Sequence, residues 1–268
     1  MAVWSCFGAQ RNRRLTLRSA TEFSQRENCH PVCRTGCKLK MNIEIFADAD
    51  AVAKAAAKFI AAEARLAVAA RGKFVFAVSG GKTPWQMLRA LANESVPWAQ
   101  VQIAQVDERI APAGHADRNL THLRESLKAA PLRAEQIHAM PVEETNLEAA
   151  AANYAKTLAQ LAGAPPVLDL VHLGLGADGH TASLVPGDAA MDVADRDVAL
   201  TGIYQQRRRM TLTYPLLNRA RKILWVATGA EKVEMLRRLQ AGDVSIPAGR
   251  IVSANALVLA DFAAAGQL

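Results

Sequence analysis

Four short segments of this 268-residue chain carry the residue types that chemistry needs. The most specific is Gly174-Leu175-Gly176-Ala177-Asp178-Gly179-His180-Thr181-Ala182-Ser183-Leu184-Val185-Pro186, where a carboxylate and an imidazole stand two residues apart in a Gly-rich loop. Histidine is the side chain whose proton affinity suits a general base near neutrality, and a neighbouring carboxylate can hold its ring in the useful tautomer. Ser79-Gly80-Gly81-Lys82-Thr83-Pro84 combines a flexible turn, hydroxyl donors and the start of a helix, which together can cradle a phosphate. It lacks the longer Gly-x-x-x-x-Gly-Lys spacing used for nucleoside triphosphates, so a monophosphate suits it better. By itself the same run also reads as a plain tight turn. Asp107-Glu108-Arg109, with Asp117 and Asn119 behind it, can hold a proton, orient a hydroxyl or stabilise developing negative charge. Arg207-Arg208-Arg209 and the later Lys232 supply cations, arginine by a forked contact and lysine as a point charge.

Each segment comes just after a short apolar run. From Met41 onward such runs alternate with helical patterns, as in a parallel sheet with crossover helices. Strands are expected from Met41, over Lys73–Val78, Val101–Val106, Leu168–Leu173, Met210–Thr213, Lys222–Ala227 and Leu257–Ala260. Helices are expected over Ala49–Ala70, from Pro84, and over Leu120–Ala129, Leu147–Leu161 and Glu231–Gln240. The fold class is therefore α/β, a single domain over residues 41–268 with an open, mostly parallel sheet and helices on both faces. Sheets of this kind collect ligands beyond the carboxyl ends of their strands, which is where all four segments fall.

The net charge of +7 is concentrated at one end. Residues 1–40 hold eight Lys or Arg against Glu22 and Glu27, which leaves 24 basic and 23 acidic residues for the rest. That balance disfavours a nucleic-acid surface, which needs clustered excess cations. All four cysteines, Cys6, Cys29, Cys33 and Cys37, also lie in the leading segment. A cysteine-free body suits a reducing compartment, and a cytoplasmic location is expected. Cys29, His30, Cys33 and Cys37 have a zinc-like look, but the spacing is wrong for paired ligands and no metal is expected. The leading forty residues show no periodicity and read as an irregular basic leader: an unstructured tail, an upstream start before Met41, or an Arg-rich targeting peptide. No apolar run is long enough to span a bilayer, so no membrane partner is expected.

In order and spacing, the four segments resemble the 6-phosphogluconolactonase family and, more distantly, the glucosamine-6-phosphate deaminases that share its modified Rossmann-like fold. The resemblance runs from about Met41 to the C-terminus and is strongest at Asp178-Gly179-His180-Thr181-Ala182-Ser183-Leu184 with Pro186. Deaminases continue after the histidine with Ile-Ala-Phe-Asn-Glu-Pro and read Asp-Glu-Tyr where this chain has Asp107-Glu108-Arg109, so both differences favour the lactonase. Lys82, Ala177, Arg118 and Ala111 depart from the usual family residues.

The resemblance implies hydrolysis of 6-phospho-D-glucono-1,5-lactone to 6-phosphogluconate, the second step of the oxidative pentose phosphate pathway, without cofactor or metal. His180 would deprotonate water, with Asp178 or Asp107 orienting it, and Arg109 would face the oxyanion. Ser79, Gly80, Gly81, Lys82, Thr83, Arg209 and Lys232 would hold the phosphate. The expected partner is this small phosphorylated sugar lactone, bound by a monomer or small homo-oligomer. The alternatives are an aminosugar-phosphate deaminase and a sugar-phosphate sensor that binds without turnover.

Overall fold

The apolar runs and helical patterns alternate as expected in the computed structural model, which describes residues 41–252 and 254–267. The leading segment, with its basic cluster, its cysteines and the zinc-like run, lies outside the described residues. In chain order the elements are β1 (Asn42–Phe46), α1 (Ala49–Arg71), β2 (Phe74–Val78), α2 (Lys82–Leu91), β3 (Val101–Gln105), β4 (Asp107–Arg109), α3 (Asn119–Ser126) and β5 (Ile137–His138). There follow α4 (Leu147–Ala162), β6 (Leu170–Gly174), β7 (Val198–Leu200), β8 (Arg209–Leu212), α5 (Tyr214–Leu217), β9 (Ile223–Ala227), α6 (Val233–Gln240), β10 (Ala256–Asp261) and α7 (Phe262–Ala265).

Local signals set the ends of the longest helix. Asp48 accepts a hydrogen bond from the Ala51 N–H at 2.8 Å and starts α1. Gly72, at φ 75°, closes it with its N–H on the Val68 carbonyl. Between them Val52, Ala56, Ile60, Ala64 and Ala67 recur at helical spacing on the buried face, and the small alanines let the helix lie close on the sheet.

Seven strands form one parallel sheet in the order β1-β10-β9-β6-β2-β3-β5. Successive residues of each strand face opposite sides. Phe74, Phe76 and Val78 of β2 pack with Leu224 and Val226 of β9 under α1 and α2. Val75 and Ala77 pack instead with Trp225 and Val258 against Tyr154 and Leu158 of α4 and Leu236 and Leu239 of α6. Helices thus cover both faces, which is why the central strands read as unbroken apolar runs. Among the described residues, no helix is long and apolar enough to cross a membrane.

One expectation needs correction. The strand at Met210–Thr213 is displaced by one residue, to Arg209–Leu212, and does not join the parallel sheet. It is the middle of a separate antiparallel sheet of three strands, β4-β8-β7. Asp107–Arg109, which follows the expected strand Val101–Val106 and is not itself among the expected strands, is one of its edges. A strand of three charged residues has no apolar alternation to announce it.

His172 lies in the centre of β6, fully buried, with neither ring nitrogen hydrogen-bonded. Burial pulls its pKa down to about 3, so it is neutral in the fold. An unfolded chain takes up the proton near the ordinary value of about 6.5. The stability that depends on neutral His172 is therefore complete above that value and is lost as the pH falls from it toward 3. Between pH 7 and pH 5 the wild type should lose about 2 kcal/mol more than His172→Leu. Urea unfolding of both proteins at the two pH values measures the difference, and parallel losses would disprove the buried neutral ring.

Candidate active site

Because β9, β6, β2 and β3 are adjacent and parallel, their carboxyl ends lie together on one edge of the sheet. From β2 comes the loop Ser79–Gly81, from β3 the strand β4, from β6 the Asp178–Ser183 loop, and from β9 the segment Thr228–Lys232. A chain of contacts connects them. The Thr83 and Thr228 hydroxyls meet at 2.7 Å, spanning the tip of β6. On the other side, a Cβ on Gly80 would lie 2.0 Å from Asn119 Oδ1, so only glycine lets this loop approach α3 so closely. The side-chain amide of Asn119 donates to the Asp107 carbonyl at 3.0 Å.

The β6 loop folds back on itself, with the Gly176 N–H on the His180 carbonyl at 2.8 Å. His180 Nδ1 is 2.5 Å from Asp178 Oδ1, and the His180 N–H also donates to that oxygen at 3.1 Å. Here too a glycine makes room, since a Cβ on Gly176 would lie 2.0 Å from the His180 ring. Burial pushes the Asp178 carboxyl up, but the His180 N–H, its ring and the Tyr204 hydroxyl together outweigh it, and the pKa falls below its ordinary value. Asp178 therefore stays ionised at neutral pH and accepts an Nδ1–H, which leaves Nε2 as the basic nitrogen. Of the two carboxylates considered for orienting His180, Asp178 is the one in contact with it.

Asp107 has another partner. The Ser183 hydroxyl donates to its Oδ2 at 2.6 Å, with both side chains buried. Strand alternation separates Asp107 from Glu108, which the sequence presents as a pair. Glu108 points away, fully buried, and accepts from the backbone N–H groups of Asn119 and Leu120 at 2.8 and 2.9 Å. It also lies 3.2 Å from the buried guanidinium of Arg118. Glu108 thus anchors the start of α3, whereas Asp107 and Arg109 share the opposite face.

On that face β4 and β8 put Arg109 directly opposite Arg209, and Asp107 opposite Thr211. Arg209 is only 4% exposed. Its contacts are with neutral groups: Gln205 Oε1 at 3.1 Å, Ser183 Oγ at 3.5 Å and the Tyr204 ring centroid at 4.9 Å. The Nε atoms of both Arg109 and Arg209 are buried without a hydrogen-bond partner. Burial lowers the pKa of Arg209; Asp107 opposes this and the Arg109 charge adds to it. Opposed like charges destabilise a strand pair, and a buried cation with no carboxylate in contact is costly. An anion entering from solvent would relieve both effects.

The other expected residues sit around this centre. Ser79 is buried, and its hydroxyl donates to the His172 carbonyl at 3.1 Å, tying the glycine loop to β6. Gly81 adopts φ 141°, open to glycine alone. Lys82 is exposed at the first residue of α2. Lys232 is mostly covered, 3.8 Å from Glu231 at the start of α6. Its segment is anchored by the Gly229 N–H on the Asp261 carboxylate, at 3.1 and 3.2 Å. Ser183 and Asn119 prove central although neither is an expected site residue. The hydroxyl after the histidine and the Asn behind Asp-Glu-Arg were visible signals for them. Tyr204 and Gln205 had none beyond an aromatic in a polar loop.

Residues 47–259 match the family model described as glucosamine-6-phosphate isomerases/6-phosphogluconolactonase. The chain is 33% identical over 239 residues to a 6-phosphogluconolactonase of Nostoc sp., covering 86% of this chain and 99% of the relative. To that of Synechocystis sp. it is 38% identical over 180 residues, 65% of this chain and 75% of the relative. Among solved structures, the 6-phosphogluconolactonase from Trypanosoma cruzi superposes with a TM-score of 0.77 at 26% identity, over 85% of this chain and 97% of that one. A monomeric glucosamine-6-phosphate deaminase shares the fold, with a TM-score of 0.75 at 17% identity over 85% of this chain and 100% of that one.

Removing the Ser183 hydroxyl tests the link between the β6 loop and β4. Ser183→Ala leaves the buried Asp107 oxygen without its donor, which should cost about 1–3 kcal/mol of unfolding free energy. Equal denaturation midpoints for variant and wild type would show that the contact contributes nothing.

Proposed function

We propose that this chain, which belongs to the family of glucosamine-6-phosphate isomerases and 6-phosphogluconolactonases, hydrolyses 6-phospho-D-glucono-1,5-lactone to 6-phosphogluconate. The observation that carries the reading is Arg209, a nearly buried cation opposite Arg109, with Tyr204 lying between it and the His180–Asp178 pair. A phosphosugar ester needs an anion grip and a base within one sugar length of each other, and the nearness of Arg209, Tyr204 and His180 supports that reading.

In this reading His180 Nε2 takes a proton from water as the oxygen attacks the lactone carbonyl, and Asp178 stabilises the imidazolium that forms. Arg109 faces the carbonyl oxygen as it becomes an oxyanion. When the tetrahedral intermediate collapses, the bond to the ring oxygen breaks and that oxygen takes the proton back from His180. The ring-opened acid then loses its own proton to solvent. Arg209, Lys232, Lys82, Thr83 and the Ser79–Gly81 turn hold the phosphate, so that binding remote from the carbonyl becomes positioning at it. The cysteine-free body suits a reducing cytoplasm.

Purified protein should accelerate loss of the lactone and release no ammonia from glucosamine 6-phosphate. The opposite pattern would make it a deaminase, and tight phosphosugar binding without turnover would make it a sensor. His180→Ala should lower kcat by about 100- to 10,000-fold while binding of 6-phosphogluconate holds. Full activity in that variant would remove the proposed base. Lys232→Ala should raise KM about tenfold with kcat nearly unchanged, as expected when one charged contact to the phosphate is lost. An unaltered KM would take Lys232 out of the phosphate grip.

A further inference from the structure

The hairpin between β7 and β8 turns at Tyr204-Gln205-Gln206-Arg207. Its ends exchange backbone hydrogen bonds, Tyr204 N–H to Arg207 at 3.0 Å and Arg207 N–H to Tyr204 at 3.2 Å. The two central glutamines lie at φ 50° and 65°, a conformation that such turns normally give to Asn or Gly. Non-glycine residues held there are strained, and the surroundings must fix them. The tip is exposed, with Ile203 77% accessible, so core packing does not account for its shape.

The contacts of Tyr204 all run toward the reaction centre. Its hydroxyl donates to Asp178 Oδ2 at 3.1 Å, the oxygen that His180 does not use. Its ring meets the His180 ring edge-on at 5.5 Å, and the Arg209 guanidinium lies over its face at 4.9 Å. Gln205 beside it takes a hydrogen bond from Arg209 Nη2 at 3.1 Å. Asp178 is 38% exposed on a glycine loop; the His180 N–H and ring hold only its Oδ1, and without the Tyr204 hydroxyl on Oδ2 its carboxylate could rotate out of line with the imidazole.

We infer that Tyr204 is a positioning residue for the proposed hydrolysis: its hydroxyl locks the Asp178 carboxylate so that His180 keeps the Nδ1–H tautomer and presents Nε2 to water. This rests on the reading of His180 as the base. Among the described residues, the ionisable group acting on the pair is Tyr204, and behind it lie Arg209 and then Asp107 and Arg109. Met235 and Ile246 back the loop at Gly179 and carry no charge.

Tyr204→Phe removes only the hydroxyl and keeps the ring under Arg209. It should lower kcat about tenfold with KM within about twofold of wild type. With the carboxylate free to turn from the ring, the imidazolium loses part of its counter-charge, so the acidic limb of the kcat/KM profile should move to lower pH. A titration of the histidine ring nitrogens by NMR, with no substrate present, should show one His180 tautomer in the wild type and a mixture in the variant. Unchanged kcat and pH profile in an active enzyme would overturn the inference, as would a fall in kcat with the His180 tautomer and titration unaltered. If the wild type leaves the lactone intact, the proposed activity fails, while the ring titration still reports whether Tyr204 governs His180.

Discussion

The hydrogen bond between Ser183 and Asp107 connects the parts of this molecule that chemistry needs together. It joins a loop on the parallel sheet to a strand of the antiparallel one, and both groups are buried. Asp107 in turn receives Asn119, which packs against Gly80, and Ser183 touches Arg209. The Ser183 N–H also donates to the Thr211 hydroxyl at 3.1 Å, so the same loop is tied to β8 twice. A buried carboxylate needs donors, and the shorter of the two contacts it has here comes from the loop that carries His180. Satisfying one polar group thereby brings the His180 loop, the Gly80 turn and Arg209 to the same edge of the sheet.

Electrostatics on this edge of the sheet follow from strand geometry. In a β-strand, neighbours in sequence face apart and next-nearest neighbours face the same way. Asp-Glu-Arg therefore sends Glu108 into the core under α3 and turns Asp107 and Arg109 toward the site. Antiparallel pairing then places Arg209 opposite Arg109. Two arginines paired across the strands, one nearly buried, make a poor contribution to stability, which an anion between them would relieve.

Missing side chains and a strained turn mark the places where loops approach this centre. Gly80 and Gly176 have no room for a side chain because Asn119 and His180 fill it. Gln205 and Gln206 are not glycines and still lie at positive φ, at the tip that carries Tyr204 to Asp178. In the first two cases close approach is achieved by omitting a side chain, and in the third by holding a strained turn against the site.

Much of the architecture was legible in the residues. Apolar runs such as Phe74–Val78 and Ile223–Ala227 stand out because strands of a parallel sheet buried on both faces are mostly apolar, and Asp48 and Gly72 mark the ends of α1 by cap chemistry that needs no tertiary contact. Asp178 and His180 were legible for the same local reason, being two residues apart on one loop. What the sequence could not show depends on residues far apart along the chain. The three-residue strand β4 exists because β8 pairs with it about a hundred positions later, and this pairing is what separates Asp107 from Glu108 and sets Arg109 beside Arg209. Tyr204 is one aromatic in a polar turn until the hairpin lays it against Asp178. Local propensity and periodicity act over a few residues; the contacts that complete this site are made by chain segments that meet only when the sheet has formed.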